Sequence, residues 1–175
     1  MFNAIRDAVG QEITWVPTAT FKDRYDLTAG NLVFATLDMS SWGSGAKAGA
    51  AEGELTIHTR GLSQRTIEIT TPNDQTLIAS YRSNWTGNSG RLQFADGRTF
   101  TWRGLNLWGT RKGWLDAAGQ PLLIFQSNGW TRRLNVTPLP QAAEIPELSL
   151  FAILGLYLVI RGRRAAAAAT VAATT

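Results

Sequence analysis

Residues 148–160 read LSLFAILGLYLVI, thirteen positions without a charge and with Ser149 as the only strongly polar side chain. Pro146 and Glu147 stand before the run, and Arg161, Gly162, Arg163 and Arg164 follow it. A proline at the first helical position, an acid in the first turn and arginines at the end suit a helix and its dipole. A helix is therefore predicted over about 146–164. A surface helix would show polar residues every third or fourth position. This one is apolar on every side, so it must be surrounded by protein or by lipid. At roughly 1.5 Å per residue it spans about 20 Å, short of the roughly 30 Å hydrocarbon layer. Burial inside its own protein is the first reading; a single-pass membrane protein with a cytosolic β-domain, anchored by residues 148–160, is the alternative.

The sequence before this run is β-textured. Ile13–Val16 is a candidate strand, and Tyr25–Thr28 and Leu32–Met39 flank Ala29-Gly30-Asn31, a hairpin loop. Glu54–Arg60 alternates, with Leu55, Ile57 and Thr59 on one face and the lone histidine, His58, on the polar one. Further hairpins are predicted at Pro72-Asn73-Asp74, Asp96-Gly97 and Ala117-Ala118-Gly119, and Trp130–Val136 reads as one more strand. The glycine-rich run 43–53, GSGAKAGAAEG, reads as a mobile surface loop. It is no phosphate loop, because Ala46 precedes Lys47 and Ala48 follows it. Phe2, Ile5 and Val9 have helical spacing, so residues 1–12 form a short segment that docks on the body or touches a membrane edge. The prolines of PLPQAAEIP lead into the apolar run, and 165–175 is an Ala/Thr-rich tail expected to add a turn or two and fray.

A meander of this length must close or split, because open edges invite pairing with other chains. A barrel of about twelve strands is wider than its own side chains fill, and an apolar helix about 10 Å across would fill it. Phe94, Phe100 and Trp102 are expected on the inward face. The fold expected is thus mainly β, a closed antiparallel barrel over 13–164 enclosing its C-terminal helix.

Composition narrows the function classes. The 175 residues suit one domain. There is no cysteine, which excludes disulfides and thiolate metal sites. Arg6, Asp7 and Glu12 interrupt any signal-peptide core, so a cytoplasmic protein is expected, or one peripheral at the inner face of a membrane. Residues 1–90 carry 7 Lys+Arg against 9 Asp+Glu, and residues 91–175 carry 10 against 4. That asymmetry suits either a surface that meets phosphates or cations that merely solvate strands. Catalysis is poorly served: one histidine, no GxSxG elbow, and Asp74, Asp96 and Asp116 all at turns, where aspartate caps the backbone. No enzyme activity, metal or cofactor is expected. The tryptophans Trp42, Trp85, Trp102, Trp108, Trp114 and Trp130 are either core or an interfacial belt beside arginines. Base stacking on them is the weaker reading, so nucleic acid is not the expected partner. Arg161, Arg163 and Arg164 are a helix C-cap, a phosphate-binding rim at a barrel mouth, or the cytoplasmic stop of an anchor.

The tryptophan-bearing hairpins ADGRTFTWR and WLDAAGQPLLIF, ending in ELSLFAILGLYLVIRGRR, resemble the tubby C-terminal-like superfamily. That group includes tubby, the plant LURP-one-related proteins and the phospholipid scramblases. The resemblance covers roughly residues 13–164 and rests on pattern and order. It implies a closed twelve-stranded barrel around a buried helix, and a non-enzymatic binding or scaffold module whose partner is an anionic phospholipid or membrane surface, or another protein. The chain departs from scramblases in lacking their acidic calcium segment and acylated cysteines. Tubby's paired basic residues have no matching position; Lys47, Arg132 and Arg133 stand in for them beside Arg161, Arg163 and Arg164.

Overall fold

Twelve antiparallel strands close on themselves around one long helix, in a computed structural model that describes residues 1–18, 23–39, 45–61, 65–129 and 131–172. In chain order the strands are β1 Ile13–Pro17, β2 Arg24–Ala29, β3 Leu32–Met39, β4 Ala46–Ala50, β5 Gly53–Arg60 and β6 Thr66–Thr70. They continue with β7 Leu77–Ser83, β8 Gly90–Phe94, β9 Thr99–Gly104, β10 Arg111–Leu115, β11 Pro121–Ser127 and β12 Leu134–Pro138. Each strand pairs with its sequence neighbours. β1 and β12 then close the ring through Ile13↔Val136, Thr14↔Asn135 and Trp15↔Leu134. Closure leaves no free sheet edge among the described strands.

The helix α1, Leu148–Ala172, fills the barrel. Every side chain from Leu148 to Ile160 is buried except Leu158, which is partly buried, and Phe151, Ala152, Ile153, Leu154 and Leu156 have no exposed surface. Phe151 is ringed by wall aromatics: Phe100 at 4.8 Å, Trp114 at 5.5 Å and Phe94 at 5.8 Å between ring centroids. The Trp114 indole N–H also donates to the Phe151 carbonyl at 2.9 Å, which gives a buried polar group its partner. Phe94, Phe100 and Trp102 all face inward, as their alternation predicts. The run 148–160 is therefore enclosed by its own chain, and no helix among the described residues is long and apolar enough to cross a membrane.

Three expectations change. The glycine-rich run is not a loop throughout, because Ala46–Ala50 forms β4. Ala46, Ala48 and Ala50 are small and buried, and the ring of Phe2 lies 3.2 Å from where a side chain on Gly49 would begin. The helix starts at Leu148, with Pro146 and Glu147 in the turn before it and not inside it; its extension to Ala172, about two turns past Arg164, is the one expected of the Ala-rich tail. The last strand begins at Leu134, and Trp130 lies outside the described residues. The N-terminal segment docks, as one reading of it held: Ile5–Ala8 forms a 3-10 turn with Ile5 and Ala8 buried against the core. The Asp96-Gly97 hairpin forms as predicted, with Gly97 at φ +91°, a conformation that side chains disfavour.

Candidate functional site

Antiparallel order sorts the connections into two sets. At the proximal mouth, where α1 begins, Glu52, Asp74, Asp96, Asp116, Glu144 and Glu147 stand in the connections. Arg98 is the one cation in those connections, and it clamps Glu147 through two hydrogen bonds of 2.6 and 3.0 Å. Hydrogen bonds from Arg98 hold the Glu147 carboxyl below its ordinary range, and the Arg98 backbone N–H does the same for Asp96.

The distal mouth, where α1 leaves, is basic. The helix brings Arg161, Arg163 and Arg164 to the rim, and the strand ends and connections bring Arg65, Arg82, Arg91, Arg103, Arg111, Lys112, Arg132 and Arg133. Among the described residues Asp23 pairs with two of them, Arg132 at 2.7 Å and Arg164, and Asp38, near the distal end of β3, stands in register with Arg24 and Lys47. Arg132 also donates to the Tyr25 hydroxyl at 3.1 Å and stacks over its ring. Arg161 reaches Thr59 at 3.4 Å and lies over Tyr157, and Arg163 donates to Ser127 at 3.3 Å. Burial, and then the charge of Arg163, lowers the pKa of Lys112 below the ordinary lysine value. Among the described residues, Arg82, Arg91, Arg103, Arg111 and Arg133 at this mouth have no ion-pair partner.

Of the candidate residues, Arg132, Arg133, Arg161, Arg163 and Arg164 converge on this mouth. Lys47 lies near the distal end of β4, on the strand and not in a loop; it stands in register with Asp38 and Thr56 and lines a groove with Asp38, Thr56 and His58. The C-cap reading of Arg161–Arg164 also falls, because the helix continues for two turns beyond them and its last turn holds no cation.

Sequence reasoning missed the wall. Thr66↔Arg82, Arg82↔Arg91 and Arg91↔Thr101 are in register, so two guanidiniums stand directly opposite each other between two threonines. Like charges placed so are destabilising without a counter-charge. Neither guanidinium has an ion-pair or hydrogen-bond partner among the described residues, and no carboxylate lines the groove of about 710 Å³ that they share with Ser80, Asn84 and Gln93. The two arginines lie nine apart in sequence, and only the strand register discloses the pair.

The tryptophans divide. Trp15, Trp102 and Trp114 are core, whereas Trp85 and Trp108 are 83% and 87% exposed. Trp42 and Trp130 lie outside the described residues. His58 stands opposite Glu68 on the barrel wall, and among the described residues no three His, Asp or Glu side chains are grouped to hold a metal. Compared with protein-family models, curated proteins and solved structures, the chain matches none.

Proposed function

We propose that this protein is a non-enzymatic binding module that sets its distal mouth against anionic phospholipid headgroups, peripheral at the inner face of a membrane. The observation that carries the reading is the sorting of charge: guanidiniums gather at one mouth and carboxylates at the other. A barrel polarised in this way orients itself in the field of an anionic surface and presents its arginines to phosphate. Arginine suits that partner because its planar fork meets phosphate oxygens with two hydrogen bonds. The Arg82–Arg91 row extends the basic surface down the wall. The likeness to tubby-like proteins points the same way.

The test is flotation with vesicles of phosphatidylserine and phosphatidylcholine against vesicles of phosphatidylcholine alone, across a salt series. Each cation near such a surface contributes about 1 kcal/mol, so Arg163→Gln with Arg164→Gln should weaken binding roughly 30-fold and flatten its salt dependence. Flotation indifferent to anionic lipid would overturn the reading.

A further inference from the structure

We infer that two tryptophan-tipped connections at the distal mouth enter the bilayer interface and fix how the barrel sits on it, an inference that rests on the anionic-membrane reading above. The connections are β7–β8 and β9–β10. With their flanks they read Arg82-Ser-Asn-Trp85-Thr-Gly-Asn-Ser-Gly-Arg91 and Arg103-Gly-Leu-Asn-Leu107-Trp108-Gly-Thr-Arg111. Each is an uncharged loop closed at both ends by arginine. At the other mouth, three hairpin turns carry Asp74, Asp96 and Asp116 instead.

Trp85, Leu107 and Trp108 are 83%, 101% and 87% exposed, whereas Trp15, Trp102 and Trp114 are buried in the core. The loops are braced and do not trail. The Asn84 side-chain carbonyl accepts from the Thr86 hydroxyl at 3.1 Å and the Ser89 N–H at 3.3 Å. Asn106 accepts from the Arg111 N–H at 3.1 Å and donates to the Thr110 hydroxyl at 2.7 Å. The Arg65 guanidinium lies 4.4 Å over the Trp85 ring, so a cation and an aromatic face are presented together.

The occupant that fits is an anionic bilayer surface. Tryptophan settles at headgroup level, where one side of the ring is apolar and the other wet, and arginines at the same level meet phosphate. A protein partner would satisfy the apolar tips, but it would also have to match Arg82, Arg91, Arg103 and Arg111, which flank both loops and have no ion-pair partner among the described residues. The last stretch of the helix, 165–172, is exposed and uncharged, so no side-chain carboxylate on it opposes the approach.

The absence of cysteine makes the test clean, since one introduced thiol reports one position. Thr86→Cys and Leu107→Cys, each carrying an environment-sensitive fluorophore, should shift to the blue on phosphatidylserine vesicles and be quenched by nitroxide lipids within the bilayer. Leu32→Cys and Leu77→Cys, exposed at the opposite mouth, should do neither. Trp85→Ser with Trp108→Ser should lower partitioning by roughly tenfold per residue and leave the salt dependence intact. If the protein floats on anionic vesicles while the labels at 86 and 107 stay in water, insertion is wrong and the electrostatic reading stands. If the labels at 32 and 77 enter the bilayer, the orientation is wrong. If anionic vesicles do not bind the protein at all, both readings fall.

Discussion

Replacing Gly155 by alanine pits helix propensity against packing. In a helix interior alanine is favoured over glycine by about 1 kcal/mol, so a helix in lipid or solvent would gain stability. Inside the barrel the sign reverses. A Cβ on Gly155 would lie 2.3, 2.5 and 2.9 Å from three carbons of the Phe125 ring, where ordinary contact needs about 3.5 Å or more. Phe125 has little room to retreat: it is 1% exposed and packs edge-on against Trp102 at 5.1 Å. Overpacking costs about 1–3 kcal/mol; a clash this close sits at the upper end, and subtracting the helix-propensity gain of about 1 kcal/mol leaves an expected net loss of about 2 kcal/mol for Gly155→Ala. For a chain of this size that lowers Tm on the order of 5 °C. Thermal unfolding followed by near-ultraviolet circular dichroism reads it directly. Phe125→Leu should cost stability alone yet recover part of the loss when combined with Gly155→Ala, a coupling that a double-mutant cycle isolates. A rise in Tm for Gly155→Ala would refute the enclosure of α1 by this wall.

Other outcomes follow from the same geometry. Asp23→Asn should release Arg132 and Arg164, raising affinity for phosphatidylserine vesicles several-fold while changing stability by less than about 1 kcal/mol, since the three side chains are each 31–43% exposed; unchanged binding would remove Asp23 as the counter-charge of this mouth. The Glu147 and Asp96 carboxyls titrate below their ordinary range in the folded protein, so the unfolded chain binds more protons in acid. Their stabilisation is full above the unfolded values of about 4 and disappears as pH falls through the folded ones. Arg98→Gln should therefore flatten the acid side of a plot of Tm against pH; an unaltered slope would refute the clamp. Leu154→Asp with Leu158→Asp should abolish folding, because Leu154 is fully buried and its charge would have no partner, whereas Ala168→Asp on the exposed stretch of α1 should leave Tm within about 1 °C. A folded, cooperative Leu154→Asp/Leu158→Asp protein would contradict the enclosed helix.

Much of the architecture was legible because it is written in local periods. Thirteen apolar residues demand surroundings on every side, strict alternation in 54–60 demands one buried face, and Asp96-Gly97 demands a tight turn; all of these depend on neighbours in the chain. The loop expected over 43–53 gives way to a strand for the same reason. Alanine and glycine have weak strand preference, and β4 exists because small residues fit where the wall meets the helix on one side and Phe2 on the other. The extension past Arg164 was legible too: alanine is the best helix former, and the Ala-rich tail adds about two turns and carries α1 into the open as far as Ala172.

The sequence by itself determined that strands would pair as a meander and that the apolar run would need surroundings on every side; the structure decided for the barrel wall over lipid. Only the tertiary structure decided where the charges meet. Strand register set Arg82 against Arg91, and the direction of α1 delivered Arg161, Arg163 and Arg164 to the mouth whose connections end in tryptophan and away from the mouth whose turns hold aspartate. Register and direction join residues far apart along the chain, and no local pattern of side chains encodes which of them become neighbours.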